Sequence, residues 1–228
     1  MMIKKWILFG LMMVLATPAF TTTQESKSLP DGFVYLDTID SSIDQDLGFA
    51  TDDNLLGVPA EGYEIGRVIC TIELAHTLTK IQQEIKKKGY CLCIQDAYRP
   101  ERAVKHIQRW AKDLNDQKTK ARYYPDISKE DLWGTYIAGN RSSHSRGSTI
   151  DVIFLDDTTK EPLDFGPSTF GETCFTHSSK ITKEQQKNRL ILRDVMLRHG
   201  FKPYDKEFWH FTLINEPFPN TYFDFPIR

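Results

Sequence analysis

Residues 148–155 read Ser-Thr-Ile-Asp-Val-Ile-Phe-Leu, a β-branched and aromatic run of strand length with one carboxylate, Asp151, set inside it. Such a run favours a buried strand. An ionised carboxylate there is costly unless it is paired or bound to a cation. The chain must therefore fold so that positive charge meets Asp151 within a sheet. Two histidines are placed to answer. His144 precedes the strand in Ser142-Ser143-His144-Ser145-Arg146-Gly147, where Gly147 permits a sharp turn. His210 stands in Glu207-Phe208-Trp209-His210-Phe211, which reads as a neighbouring strand near Phe208 to Leu213.

Two imidazoles and one carboxylate are the ligand set of a catalytic zinc ion that keeps a fourth position open for water. His144, Asp151 and His210 are accordingly the expected metal ligands, for one Zn2+ per chain. Taken singly, His144 reads as a solvated loop residue and His210 as a satisfied core histidine; together with Asp151 they read as a metal site. Glu207 is then free to act as general base and acid, the competing reading being a surface charge beside Lys206. In a flat strand, residues 207 and 210 would point to opposite faces, so Glu207 is expected in the turn that leads into the strand. Arg99 falls in Asp96-Ala97-Tyr98-Arg99-Pro100, at a strand-to-helix junction. It is the candidate for stabilising an oxyanion, the alternative being an ion pair with Asp96 that holds the junction.

The chain has 228 residues, 40% of them hydrophobic, enough for one sizeable core. Its formal net charge of -2, without a basic stripe, argues against a nucleic-acid surface. Lys4 and Lys5, an uncharged apolar run from Trp6 to Ala16, and Thr17-Pro18-Ala19 form an export-signal pattern over residues 1–19, with an uncleaved anchor as the alternative. The expected location is periplasmic or secreted, without stable membrane association after cleavage. Residues 20–30 are expected to be a flexible lead-in, and residues 31–228 one domain. Cys70, Cys91, Cys93 and Cys174 are either buried thiols or include one bridge.

Residues 36–64 are turn-rich and read as short strands and loops. Val68, Ile72, Ala75, Leu78, Ile81 and Ile85 repeat at helical spacing, with Gly89 as the stop. Tyr90 to Ile94 reads as a strand. Pro100 then opens a helix whose inward face would be Val104, Ile107, Ala111 and Leu114. Residues 115–140 read as loop, with a turn at Trp133-Gly134, and Lys183 to His199 as a helix closed by Gly200.

These residues resemble the D-alanyl-D-alanine dipeptidases, the VanX-type zinc enzymes related to wall-trimming D,D-carboxypeptidases. The similarity runs through Gly62-Tyr63-Glu64, residues 96–104, residues 142–151, Glu207 to His210, and the ending Tyr222-Phe223-Asp224-Phe225-Pro226. The Ser-Ser-His-Ser-Arg-Gly-Ser stretch is its most specific part. The resemblance implies a single compact α+β domain with a central antiparallel sheet flanked by helices and the zinc site at the sheet. It implies His144, Asp151 and His210 as ligands, Glu207 as base and acid, and Arg99 as transition-state stabiliser. It also implies that Tyr63 and Ser143 hold the substrate carboxylate, and Ser142 and Asp96 are grouped with them as expected substrate contacts.

Hydrolysis of free D-alanyl-D-alanine is the leading expectation. A related wall peptidase acting on a longer or N-blocked peptide is the runner-up, and a zinc-stabilised binding module without catalysis is the third reading. The runner-up draws on two departures. Phe49-Ala50-Thr51 stands where the family carries Tyr-Ala-Thr, and Phe170-Gly171 where it carries Phe-Asp. In the family those polar groups hold the substrate amine; here Asp164 or Glu172 is expected to take over, or the pocket has lost both.

Overall fold

The structure is a computed structural model and describes residues 28–228. The export signal expected at 1–19 and most of the expected lead-in lie outside the described residues. Among the described residues no helix is long and apolar enough to cross a membrane.

In chain order the strands are β1 (Phe33–Tyr35), β2 (Asp44–Gln45), β3 (Ile69–Thr71), β4 (Tyr90–Asp96), β5 (Thr149–Asp156), β6 (Phe201–Tyr204) and β7 (Glu207–Leu213). The helices are α1 (Leu36–Ile39), α2 (Ile72–Lys86), α3 (Glu101–Lys112), α4 (Lys120–Tyr123), α5 (Lys129–Leu132) and α6 (Lys183–Arg198). The main sheet has the order β2-β4-β5-β7-β6; β1 and β3 form a separate antiparallel pair. The main sheet is antiparallel across its centre, as expected, with parallel β2 at one edge. This is the α+β domain that the sequence implies.

The apolar run of β5 conceals two faces. Ile150, Val152 and Phe154 are fully buried in one core with Leu92 and Ile94 of β4 and the apolar sides of α2 and α6. Asp151, Ile153 and Leu155 alternate to the opposite face, where Leu155 joins Cys91 and Cys93 in a small separate cluster. Asp151 therefore interrupts the outer face and leaves the core face unbroken. All four cysteines are buried free thiols, so the bridged alternative is not realised.

The helical repeat predicts a start at Val68, but α2 begins at Ile72. Residues 69–71 pair instead with β1, and the Thr71 hydroxyl caps α2 by accepting from Leu74 N. Tertiary pairing outweighs the periodic signal here. Gln82 of α2, itself buried, accepts from Leu92 N at 2.8 Å and so ties the helix to β4. Pro100 caps α3, which ends at Lys112; Leu114 lies beyond it and is 45% exposed, not on the inward face. Residues 36–64 contain α1 and a 3-10 turn at Gly48–Ala50, with β2 as the strand between them, and the expected loop at 115–140 carries the one-turn helices α4 and α5. α6 opens on a capping box formed by Thr182 and Gln185.

α2 and the end of α6 are joined by charge. Glu84 accepts from His199 Nε2 at 2.8 Å and from Arg198 Nη2 at 2.7 Å, with Lys88 Nζ at 3.4 Å. The His199 bond first, then Arg198, holds the Glu84 carboxyl down to about 2. A carboxylate depressed in the folded state contributes stability that is present above its unfolded value of 4.5 and lost as the pH falls through about 2. Glu84→Gln should therefore lose less stability than wild type between pH 4.5 and 2, measured by denaturant unfolding across that range; equal acid slopes would contradict the assignment.

Candidate active site

His144 lies in a 3-10 turn, Ser143–Arg146, capped by the Ser142 hydroxyl, which accepts from His144 N at 3.4 Å. Gly147 closes the turn with φ of 83°, and a Cβ there would come within 2.3 Å of the Phe33 ring. The turn is stapled to the Arg99 junction, because Arg99 N donates to His144 O at 3.3 Å and Ser145 Oγ donates to Arg99 O at 2.8 Å. His144 Nδ1 donates to the Ala97 carbonyl at 2.8 Å, and a carbonyl can only accept. That bond fixes the tautomer and leaves the Nε2 lone pair facing Asp151 and His210.

Sheet register supplies the rest. Asp151 sits directly opposite His210 on β7 and opposite Asp96 on β4, so the three residues form one row across adjacent strands. His210 Nδ1 lies 3.1 Å from Asp151 Oδ1 and 3.3 Å from His144 Nε2, and His144 Nε2 lies 3.5 Å from Asp151 Oδ2. Zinc at about 2.05 Å from N and O ligands needs tetrahedral edges of about 3.3 Å. These separations, two of them to different oxygens of Asp151, bracket that value, and one donor atom from each residue lies within 4.8 Å of the other two, so the donor set suits a zinc-sized ion.

Glu207 is the first residue of β7 and not part of the preceding turn. The pairing jumps from Pro203↔Phe211 to Tyr204↔Glu207, which leaves residues 208–210 without β6 partners. This bulge breaks the period-2 alternation and brings Glu207 Oε2 within 3.5 Å of His210 Nδ1. Burial pushes the Glu207 carboxyl up to about 7, against the pull of His210. Burial would also raise Asp151, but the two histidines outweigh it and hold that carboxyl well below the usual range. Burial and the Arg99 charge lower His144.

Arg99 forms the ion pair with Asp96 that is the alternative reading of the sequence, and it also lines the cavity. Its Nε and Nη2 grip Asp96 Oδ2 at 2.8 and 2.6 Å, while Nη2 stands 3.6 Å from Asp151 Oδ2 on the cavity wall. Burial opposes its charge, yet the carboxylates of Asp96 and Asp151 keep the guanidinium ionised. Tyr63 differs from expectation. Its hydroxyl donates to Asp96 Oδ1 at 2.7 Å, its ring is buried against Phe49, and it does not line the cavity. Asp96 is 2% exposed with both oxygens engaged. Asp96 braces Arg99 directly and Tyr63 braces Asp96; neither lines this cavity, while Asp96 lines the adjoining groove.

The cavity holds about 440 Å³. Ser142, Ser143, Arg141 and Arg146 line it, as do the aromatic side chains of Phe49, Tyr136, Phe170 and Trp209. Sequence reasoning missed Tyr136, Trp209 and the two arginines. Arg146 was within sight, two residues after His144, and is held by Glu216 through two bonds of 2.8 Å. Tyr136 lies in a stretch with no periodic or motif signal.

A family model described as D-Ala-D-Ala dipeptidase, peptidase family M15, matches residues 30–228. The chain belongs to that family. It is 38% identical over 199 residues to the D-alanyl-D-alanine dipeptidase of Enterococcus faecium, covering 86% of this chain and 98% of that one. The D-alanyl-D-alanine dipeptidase of Streptomyces coelicolor is 37% identical over 197 residues, covering 86% and 98%. That of Escherichia coli is 28% identical over 182 residues, covering 79% and 83%. A solved zinc complex of a vancomycin-resistance D,D-pentapeptidase overlaps 68% of this chain and 78% of its own at 16% identity and a TM-score of 0.40. As a member of the M15 dipeptidase family, the chain is a metallopeptidase.

Within this M15 peptidase neither expected replacement acid reaches the cavity. Asp164 is engaged by Gln185 and by Gly166 N, and Glu172 by Ser179 and Lys180. The aromatic wall around Phe49 and Phe170 thus has no such side-chain carboxylate facing it. The histidine turn yields a direct check. A non-glycine residue at positive φ costs about 1–3 kcal/mol. Gly147→Ala adds a clash with Phe33, and it should lower the thermal midpoint and the metal affinity together. Unchanged metal affinity would show that the turn does not set His144.

Proposed function

We propose that this chain is a zinc-dependent dipeptidase that hydrolyses D-alanyl-D-alanine to two D-alanines. The convergence of His144, Asp151 and His210, with one donor atom of each within 4.8 Å of the others and Glu207 beside them, carries the reading. The family and the names of its curated relatives support the choice of dipeptide. A mixed nitrogen and oxygen donor set of this size suits zinc, which supplies Lewis-acid polarisation of the substrate carbonyl and of water.

The residues of the chain do the remaining work. Glu207 takes the proton of the attacking water and returns it to the leaving amine. Arg99, held rigid by Asp96 and Tyr63, faces the oxygen on which charge develops. His144 is kept in one tautomer by Ala97 O. Ser142 and Ser143, with Arg141 beyond them, offer donors to the substrate carboxylate. The aromatic wall excludes water and packs against the substrate methyl group.

A second reading, an N-blocked or longer peptide, is favoured by that same wall. Past Phe49 and Phe170 the groove continues toward Thr51 and Asp53, so a substrate has room to extend beyond a free amine. Initial rates on free and N-acetylated D-alanyl-D-alanine separate the two. The dipeptidase reading expects the free form to be preferred at least tenfold in kcat/KM, and preference for the acetylated form would replace it. Glu207→Gln should lower kcat by about 10² to 10⁴ with zinc content unchanged. A rate near wild type would remove Glu207 from the chemistry.

A further inference from the structure

Arg189 of α6 is fully buried, and its guanidinium meets carbonyls in place of a carboxylate. Its Nε donates to Phe165 O at 2.7 Å, its Nη1 to Thr173 O and Phe175 O at 2.7 Å each, and its Nη2 to Pro167 O at 3.1 Å. The guanidinium carbon sits 4.1 Å over the Phe208 ring, next to Glu207 in sequence. Burial lowers its pKa to about 10, so it is charged at neutral pH. The adjacent Asn188 donates to Asp164 O at 2.9 Å, immediately before the same segment.

These bonds are mutually dependent. A desolvated cation requires compensating dipoles, and desolvated carbonyls require donors. Both ends of residues 165–175 thus converge on one planar group, and the middle of the segment is pushed out as a loop. Phe170 lies there. It packs on Tyr136 at 5.0 Å and on Trp209 at 6.3 Å between ring centroids, and it lines the cavity that holds the metal ligands. Its own amide donates to Tyr123 O at 2.7 Å, which ties the loop to α4. Gly171 follows at φ of 132° and contributes no side chain to the wall.

We propose that Arg189 is a positioning residue for substrate: through four main-chain carbonyls it holds residues 165–175 so that Phe170 forms the apolar wall of the cavity. It acts on binding through the loop and touches no reacting atom. A lysine would keep the charge but lacks the five-donor fork that reaches carbonyls on several sides. The inference rests on the proposed peptidase reaction for its kinetic part and on the loop geometry alone for its structural part.

The test compares wild type, Arg189→Lys, Phe170→Ala and the double variant, all zinc-loaded, with D-alanyl-D-alanine as substrate. Arg189→Lys should raise KM about tenfold and leave kcat within about threefold, the signature of lost uniform binding. The double variant should be no worse than Phe170→Ala alone, because both act on one wall. Amide exchange over residues 165–175 should be faster in Arg189→Lys than in wild type. A KM that stays at the wild-type value, an additive double variant, or unchanged exchange overturns the proposal. If Arg189→Lys does not fold, Asn188→Ala releases the carbonyl of Asp164, the residue immediately before the segment. It should raise KM about two- to threefold with faster exchange, and no change in either overturns the proposal. Should wild type cleave no dipeptide, the proposed reaction fails, while the exchange comparison still decides whether Arg189 holds the loop.

Discussion

A carboxylate set in the middle of a β-sheet is the constraint on which the rest of this molecule depends. Asp151 cannot stay ionised at low exposure without compensation, and register places His210 across one ladder while the 144–147 turn brings His144 over the strand. One donor atom from each of the three residues lies within 4.8 Å of the other two, close enough to share a metal ion. The sheet and the turn therefore answer one electrostatic problem together. The fold positions a reactive centre as a consequence of burying its own charge.

The second acid in the row, Asp96, would make matters worse were it not for Arg99. Its oxygens are divided between Tyr63 and the Arg99 guanidinium, which in turn leans toward Asp151. The Arg99 guanidinium thus stands between the two facing carboxylates, Asp96 and Asp151, and also lines the cavity. Tyr63 contributes by orienting Asp96. Rigidity of this kind matters because an oxyanion donor is effective only when it is already in place as charge develops.

The clustering of His144, Asp151 and His210 was legible in the sequence because few residue types can neutralise a buried carboxylate, and two histidines stand beside strand-like text at useful places. The core face of β5 was legible for the same reason as any alternating strand. Glu207 was harder: its reach toward His210 depends on a bulge between β6 and β7, and β6 itself, Phe-Lys-Pro-Tyr, carries little strand signal. Val68 was drawn into a helix by periodicity because pairing of residues 69–71 with β1 is a long-range event invisible to a local window. Tyr63 bonds Asp96, and Asp96 bonds Arg99, an arrangement that only side-chain direction reveals. The aromatic wall is assembled from Phe49, Tyr136, Phe170 and Trp209, far apart in the text and unrelated by spacing.

Anomalous diffraction from zinc-loaded crystals, collected on both sides of the zinc absorption edge, tests the central claim most directly. The account predicts one strong peak per chain, about 2.0–2.2 Å from His144 Nε2, His210 Nδ1 and an Asp151 oxygen, with Glu207 outside the coordination sphere. A peak elsewhere, or none at this cluster in zinc-saturated protein, would contradict it.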